Sequence, residues 1–410
     1  NTSRSHDETV SPGTYFNNES NVLSNNIVCI WIEYCKTTRY SPALVNIGIA
    51  SIDNLTGHSS VTTISKEYIK SPATYDDLER AISILCPAEC VVVSNMEYNE
   101  TKEILDCCGL SSIKCNILST DTETKLGNSA KNAEKQVYQS EILNRFFPST
   151  STETVFETIR SNNYGAQALV MLIDFVHQHN PQLVSSLQFP DFRTPGTTLL
   201  LANHSLRQLN IIPDNRHSGK LSSVATLLDN CVTSMGSRHF HYLITAPLTD
   251  TVELNNIYDI TEDALSSGCW NNIRSSLKGV RDTEKMLRKI VLGKTSPKEI
   301  ISLGYSLRSI SSVYDIITSN KNLASQMKSK DLDCGEECTT MHTSIFETFN
   351  ETTARNIDDI TPEKLGLLSP DEACFINNNV CDKVDTLLRK SLFANLQLQN
   401  VSEYLSSLIA

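Results

Sequence analysis

Residues 199–250 decide the fold of this chain and read LLLANHSLRQLNIIPDNRHSGKLSSVATLLDNCVTSMGSRHFHYLITAPLTD. A turn at Pro213–Asn215 separates a short apolar run from a helix that we expect to begin near Leu221, with Ser222 or Ser223 as its N-cap. Apolar residues then recur mostly at three- and four-residue spacing, which predicts one continuous helix with one buried stripe. The stripe consists of Val224, Leu227, Leu228, Cys231, Met235, Phe240 and Leu243.

Two small residues interrupt this stripe, because Gly236 and Ser237 stand in the middle of the predicted helix. A glycine inside a helix costs about 1 kcal/mol relative to alanine. We therefore expect a compensating contact at Gly236, namely the close approach of another backbone where two helices cross.

Pro247 marks the end of the predicted helix, since proline lacks the backbone N–H that a helix interior requires. Thr249 or Asp250 then provides the N-cap of a following helix that begins at Thr251, because either side chain can accept a hydrogen bond from a free backbone N–H. The sequence thus predicts two consecutive helices that are joined at P-L-T-D.

The order of these residues resembles the core and lever region of the MutS family of DNA mismatch-repair proteins. A leucine-led helix is followed by T-x-M-G-S-R and then by P-L-T-D. The matching residues are Leu227, Leu228, Thr233, Met235, Gly236, Ser237, Arg238, Pro247, Leu248, Thr249 and Asp250. The basic and tryptophan residues that usually follow the arginine are replaced by residues 239–242 (H-F-H-Y), which indicates a divergent member. The resemblance implies structural and coupling roles for Gly236, Ser237, Arg238, Pro247 and Asp250.

The composition is typical of a globular protein of roughly two or three domains: 410 residues, 40% hydrophobic and 20% charged. The net charge is −12. Nucleic-acid-binding domains are usually basic, so general DNA binding by this segment itself is not expected. No apolar run approaches about 18 residues, so no membrane partner is expected either.

Thirteen cysteines, an odd number in a long chain, indicate reduced thiols and an intracellular compartment. Cys334 and Cys338 have C-x-x-x-C spacing, and Cys374 and Cys381 are candidates to complete a zinc site with them. The spacing differs from that of a zinc ribbon, so scattered thiols are the preferred interpretation.

The domain organisation follows from the same resemblance. Residues 1–26 are predicted to be a linker, and their segment Thr9–Thr14 (T-V-S-P-G-T) resembles the family's T-P-G-T junction after the mismatch-binding domain. Residues 27–118 are predicted to form an α/β connector domain. Residues 119–410 are predicted to form a mainly α-helical core and lever domain that ends before the clamp and the ATPase.

The connector region shows three strands, a helix, a strand, a helix and a strand, an order typical of an RNase H-like fold. The segments are Ile27–Tyr34, Leu44–Ile52, Ser60–Ile64, Asp76–Leu85 (with Thr74 as a possible cap), Cys90–Val93, Tyr98–Cys108 and Ile113–Leu118. This order raises the alternative of a nuclease that holds two Mg²⁺ ions between carboxylates. Glu33 and Asp53 are the first candidates, with Glu97 or Asp106 behind them; solvated acids at strand ends are the preferred interpretation.

The rest of the chain is predicted to be helical, because apolar residues recur at helical spacing in every long segment. The predicted helices are Asn132–Phe147, Gly165–His179 (apolar on one face), Val252–Leu265, Ile273–Ile290, Pro297–Ile317 and Glu372–Ala410. The last of them stands where the family's lever helix rises to its DNA clamp.

The resemblance implies a protein larger than this chain. It would recognise mismatched double-stranded DNA through domains outside this chain, act as a homodimer or heterodimer, and use ATP and Mg²⁺ to change the state of its clamp. No G-x-x-x-x-G-K-[ST] loop and no catalytic or cofactor site is visible here, so this segment would serve as connector and lever and be monomeric or weakly associating. The alternative is a scaffold protein that retains the fold without the ATPase.

Overall fold

The computed structural model describes residues 11, 13, 24–37, 42–119, 125–148, 150–184, 187–192, 199, 203–212, 219–320, 323–325, 334–365 and 368–409. The chain forms two compact units, Asn1–Leu254 and Asn255–Ala410. Most of the linker predicted at residues 1–26 lies outside the described residues.

The first unit is built on a mixed sheet of six strands. The strands are β1 (Asn26–Cys35), β2 (Leu44–Asp53), β3 (Ser59–Glu67), β4 (Glu89–Ser94), β5 (Lys114–Leu118) and β6 (Asp191–Phe192). Their order is β5-β4-β1-β2-β3-β6. The pairs β1–β2 and β2–β3 are antiparallel, whereas β1–β4, β4–β5 and β3–β6 are parallel. The five strands predicted between residues 27 and 118 are confirmed.

Helices cover both faces of this sheet. They are α1 (Asp76–Leu85), α2 (Tyr98–Cys107), α3 (Lys125–Ala133), α4 (Gln136–Phe146), α5 (Thr152–Ser161) and α6 (Asn163–His179). Side chains alternate between the faces of a strand, and Val28, Ile30 and Ile32 of β1 share one apolar core with Leu78 of α1 and Ile104 of α2. Helix α6 packs against β1, β2 and β3.

Helix α6 carries the α/β unit beyond the boundary predicted at residue 118. All residues from Gly165 to Val176 are buried, so this helix is covered all round and not on one face only. It crosses β2 at Gly48, where a Cβ atom would overlap the Tyr164 carbonyl group. The Gly165 N–H also donates to the Thr63 hydroxyl at 3.2 Å. Helix α6, which was predicted to belong to the core and lever domain, therefore packs on the sheet of the first unit.

Two helix starts differ from the predictions. The helix expected at Asn132–Phe147 is α4, which begins only at Gln136, whereas Asn132 and Ala133 end α3. The buried Gln139 side chain donates to the Ala133 carbonyl at 2.7 Å and closes the turn between the two helices. Thr74 does not cap α1. It lies in a 3₁₀ helix that precedes α1, and its hydroxyl accepts from the Ile69 N–H at 3.2 Å.

The chain beyond the sheet is helical. Its helices are α7 (Asn203–Gln208), α8 (Val224–Leu228), α9 (Ser234–Thr245), α10 (Thr251–Ser266), α11 (Trp270–Leu277), α12 (Thr283–Val291), α13 (Pro297–Thr318), α14 (Gly335–Thr348), α15 (Glu351–Ala354), α16 (Pro362–Leu365), α17 (Pro370–Ala373) and α18 (Asp382–Ile409). The start of α13 at Pro297 is confirmed, with Ser296 as its N-cap.

Two predicted helices of this region are interrupted. The segment Ile273–Ile290 is divided between α11 and α12. Arg281 lies between the two helices, and its N–H donates to the Ser306 hydroxyl of α13 at 3.0 Å. The final helix starts at Asp382 and not at Glu372, because Ile376 pairs as an extended bridge with Phe349.

The second unit is held together mainly by the packing of α13 against α14. A Cβ atom on Gly304 of α13 would come within 2.6 Å of the Phe346 ring of α14, so the two helices approach closely at this glycine. His342 Nδ1 lies 3.0 Å from the Gly304 carbonyl oxygen. Among the described residues no helix is long and apolar enough to cross a membrane.

Candidate coupling segment

The helix predicted to run from Leu221 past Gly236 is in fact two helices. Helix α8 ends at Leu228 and α9 begins at Ser234, with an extended backbone at Asp229 (φ −66°, ψ 97°). The prediction of one buried stripe is therefore wrong. Its α8 members are exposed and none of its α9 members is buried, whereas Ala225, which the pattern left out, is completely buried.

The start of α8 agrees with the sequence. Ser223 is its N-cap, and the Thr226 N–H donates to the Ser223 hydroxyl at 3.1 Å. The Thr226 hydroxyl accepts in return from the Ser223 N–H at 3.0 Å. Reciprocal bonds of this kind satisfy two otherwise unpaired N–H groups of a helix N-terminus.

A single carboxylate joins the two helices. Asp229 Oδ1 accepts from the Cys231 N–H at 3.0 Å and from the Ser237 hydroxyl at 3.2 Å, and Oδ2 lies 3.6 Å from His241 Nε2. Partial burial acts to raise the pKa of Asp229, but these hydrogen bonds and the nearby histidine outweigh it and hold the pKa below its usual range. Ser237 thus has a defined contact: it ties the first turns of α9 to the end of α8.

Gly236 lies in the first turn of α9 and not in mid-helix. Its N–H donates to the hydroxyl of the N-cap Thr233 at 3.1 Å. A Cβ atom on Gly236 would lie 3.0 Å from that hydroxyl and 3.4 Å from Cys231 Cβ. The expected approach of another backbone is therefore not found; the glycine leaves room for the side chains that cap its own helix.

Two of the remaining predicted residues, Pro247 and Asp250, lie between α9 and α10. Helix α9 ends at Thr245, and the Pro247 carbonyl accepts from the Leu199 N–H at 2.7 Å. The Asp250 carboxylate accepts from the Val252 N–H at 2.8 Å, which confirms Asp250 as the cap of α10. Arg238 is half-buried on α9. Gly236, Ser237 and Arg238 thus lie near the start of α9, and Pro247 and Asp250 lie between α9 and α10; the coupling role of the five residues stays a prediction.

The nuclease candidates do not come together. Glu33 pairs with Asn46 near one end of the β1–β2 ladder, whereas Asp53 pairs with Asn26 at the other end. Seven residues of strand separate these positions, about 23 Å. Asp53 is also occupied, because it accepts from the N–H groups of Asn25 and Leu55, each at 3.0 Å. Two carboxylates so far apart cannot share a pair of metal ions.

The cysteines considered as an alternative zinc site show no metal geometry in the part of the chain that the structure describes, where no group of three or more Cys, His, Asp or Glu side chains could hold an ion. Cys334 and Cys338 lie at the start of α14, and the Cys374 thiol lies 3.5 Å from the Ile376 carbonyl oxygen. Partial burial raises the pKa of the Cys338 thiol. The arrangement does not stabilise a thiolate at Cys338.

The sequence interpretation missed one buried charge. Glu89 begins β4, is fully buried, and pairs with Lys114 at 3.2 Å. It accepts from the Ser11 hydroxyl, from the Gly13 N–H at 3.1 Å and from the Asn116 amide at 3.1 Å. Burial acts to raise the pKa of Glu89, but these hydrogen bonds outweigh it and lower the pKa. No local pattern marks the site, since its partners come from two segments far from it along the chain, residues 11–13 and residues 114–116.

Comparison with known proteins identifies the helical part of the chain. The family model described as MutS domain III matches residues 204–408. A mutS homolog of Acanthamoeba polyphaga mimivirus is 23% identical over 76% of this chain and 29% of its own length. The DNA mismatch repair protein MutS of Caldanaerobacter subterraneus subsp. tengcongensis is 25% identical over 75% of this chain and 32% of its own.

A third relative is the mitochondrial DNA mismatch repair protein mutS homolog of Sarcophyton glaucum, 28% identical over 45% of this chain and 19% of its own length. The chain thus spans about a third or less of the curated relatives that it matches. The matched residues include the whole coupling segment from α8 to α10 and continue into α18. The chain therefore belongs to the MutS family of DNA mismatch-repair proteins, as a divergent member of low identity to its relatives.

Proposed function

We propose that this chain is the connector and lever part of a protein that recognises mismatched DNA and couples its ATP state to DNA clamping. The observation that carries the proposal is the junction at Asp229, because one carboxylate fixes the angle between α8 and α9 within the matched MutS domain III segment. Helix α9 is held at its start by Asp229 and is followed by α10, which Asp250 caps. Such a pair of helices can transmit a displacement as a rigid element.

We further propose that strands β1–β5 with helices α1 and α2 form an RNase H-like connector domain. The antiparallel order β3-β2-β1, continued by the parallel strands β4 and β5 with α1 and α2 between them in sequence, supports this assignment. The separation of Glu33 from Asp53 supports a connector over a nuclease.

The whole protein would require ATP and Mg²⁺, which other domains would bind, and would act as a homodimer or heterodimer on mismatched double-stranded DNA. The relatives' names, which describe DNA mismatch repair proteins, support the DNA partner. All thirteen cysteines are free, which supports a reducing intracellular compartment.

The test interrupts α9 in the full-length protein. His239 is exposed in the middle of α9, so His239→Pro removes one helix hydrogen bond and kinks the helix at a cost of about 3 kcal/mol, whereas the control His239→Ala keeps the helix. We expect ATP to release a mismatched duplex from the wild type and from His239→Ala, measured by the anisotropy of labelled DNA, and we expect His239→Pro to retain it.

Equal release by all three proteins would refute mechanical coupling through α9. A full-length protein that hydrolyses no ATP would instead favour the scaffold alternative, since such a protein has no nucleotide state to transmit.

A further inference from the structure

The charge of the second unit is unevenly distributed. Residues 270–308 contain nine lysines and arginines but only three acids, although the net charge of the chain is −12. The rest of Asn255–Ala410 contains eight cations and eighteen acids. The nine cations are Arg274, Lys278, Arg281, Lys285, Arg288, Lys289, Lys294, Lys298 and Arg308.

Two of the three acids in this segment are engaged in capping their own helices. Asp282 is the N-cap of α12 and accepts from the Lys285 N–H at 3.3 Å. Glu299 accepts from the Ser296 N–H at 3.1 Å in the capping box of α13 and also pairs with Lys289. These carboxylates therefore accept hydrogen bonds from backbone N–H groups at helix N-termini, and one of them neutralises a lysine. The segment keeps an excess of positive charge.

Three exposed cations lie where α11 and α13 meet. Lys278, Arg281 and Arg308 are all exposed, and we call them the basic surface. The contact that brings them together is close: the Arg281 N–H donates to Ser306 at 3.0 Å, and a Cβ atom on residue 279 would lie 2.6 Å from the Ser309 hydroxyl. The basic surface thus combines the C-cap of α11 (Lys278), the turn that follows it (Arg281) and helix α13 (Arg308).

An aromatic side chain continues this surface along α11. Trp270 is 42% exposed, and Arg274 and Lys278 follow it at four-residue intervals, which places all three on one side of the helix axis over about 12 Å. The only other tryptophan, Trp31, is 3% exposed in β1. Tryptophan emission therefore reports selectively on a ligand that reaches α11.

We propose that the basic surface binds the phosphate backbone of duplex DNA without reading its sequence. Exposed like charges that lie close together are stabilised by an anionic ligand, and Lys and Arg contacts with phosphates provide this without base recognition. The proposal goes beyond the connector and lever function, in which domains outside this chain contact the mismatch. It also revises the expectation drawn from the net charge, because an average of −12 conceals the local excess of cations.

The salt dependence gives the expected size of the effect. Each phosphate that a cation neutralises contributes about 0.9 to the slope of log K against log salt, so the three residues of the basic surface account for a slope of about 3. A contact of this size gives weak binding that is measurable at low salt.

The experiment measures the anisotropy of a short labelled duplex with the whole 410-residue chain at several salt concentrations. The variant is Lys278→Glu/Arg281→Glu/Arg308→Glu. The control is Lys102→Glu/Lys131→Glu/Arg160→Glu, which changes the net charge equally at exposed positions of the first unit. We expect the first variant to lose affinity at least tenfold and to lose about 3 in salt slope, and the control to lose less than about threefold.

Equal losses in both variants, or no binding by the wild type, would overturn the proposal. So would polyglutamate competing as well as DNA does, since the surface would then fit an acidic protein. If the glutamate variant does not fold by circular dichroism, the corresponding glutamine variant is measured instead.

Quenching of Trp270 by duplex DNA, absent in Trp270→Phe, is the second readout. The result is independent of the His239→Pro experiment, so either proposal can fail alone.

Discussion

The two units of this protein, the sheet unit (Asn1–Leu254) and the helical unit (Asn255–Ala410), bury their apolar residues to very different degrees. In the sheet unit, six consecutive residues of β1 and twelve of α6 are buried. In the helical unit the described residues include only eight buried apolar residues, and α18 exposes more than half of Phe393, Leu396 and Leu405. A helix that is apolar on several faces is stable only when other protein covers it. The difference teaches that the sheet unit buries a large apolar core, whereas the helical unit leaves much of its apolar surface exposed.

The largest expected effect distinguishes two glycines at close contacts: Gly48, where α6 crosses β2, and Gly304, where α13 meets α14. We expect Gly48→Ala to lower the free energy of unfolding of the sheet unit by about 4 kcal/mol, more than usual overpacking, because the new methyl group meets the Tyr164 backbone, which cannot rotate away. Gly304→Ala should cost about 1 kcal/mol or less, since it meets only the side chains of Phe346 and Ile345, which can shift, and gains helix propensity. Urea denaturation of Trp270→Phe backgrounds, followed by Trp31 emission, measures the first change.

Circular dichroism follows Gly304→Ala in the helical unit. Equal losses at the two glycines would show that the helical unit is packed as rigidly as the sheet unit, and the contrast would be wrong.

Removal of the buried Glu89 carboxylate should give the second largest loss of stability. Glu89→Ala should destabilise the sheet unit by about 3 kcal/mol, because the hydrogen-bond donors of Ser11, Asn116 and Lys114 lose their acceptor. The folded pKa of Glu89 is lowered, so its contribution is fully present above the unfolded value of about 4.3 and is lost as the pH falls through the folded value. Urea denaturation at neutral and acid pH should therefore show the difference from wild type shrinking at low pH.

A difference in stability that did not change with pH would contradict an ionised Glu89. Glu97→Ala is the matched control: Glu97 is exposed, is the N-cap of α2 without a side-chain capping bond, and should change stability by less than about 0.5 kcal/mol.

The junction between α8 and α9 should give a smaller and local effect. Asp229→Ala removes the acceptor of the Cys231 N–H and the Ser237 hydroxyl, so we expect a loss of about 1 kcal/mol confined to α9. Amide hydrogen exchange measures it as faster exchange of residues 234–245, and the exposed Asp259→Ala on α10 serves as the control. Unchanged protection of α9 would mean that the carboxylate does not brace the junction.

The exposed face of α18 should give the smallest effect. Leu396→Ser should change the free energy of unfolding by less than about 0.5 kcal/mol, because 55% of Leu396 is already exposed. Ile30→Ala in the sheet core should cost about 3 kcal/mol under the same conditions. A loss of 2 kcal/mol or more at Leu396, roughly that of a buried leucine, would show that this chain covers α18 in solution, which sedimentation would reveal as self-association.

The predictions from sequence were most accurate where periodicity and capping act over a few residues. The strands from β1 to β5, helix α1, the Ser223 cap, the Pro297 start and the Asp250 cap follow from local chemistry. The predictions failed at helix interruptions. The sequence between Leu221 and Leu243 is apolar at helical spacing throughout, and only the carboxylate of Asp229, which bonds forward to Ser237, shows that the backbone turns there. Such a bond depends on the final position of both helices.

The amino-acid sequence by itself determined the order of the elements, the caps at their ends and the family to which the chain belongs, because each depends on residues that are close along the chain. Only the tertiary structure decided that α6 belongs to the sheet unit, that Glu89 is a closed buried site, and that Glu33 and Asp53 lie at opposite ends of a ladder. The physical reason is distance along the chain: Glu89 takes its partners from residues 11, 13, 114 and 116. Folding alone brings these groups together, and no local pattern records them.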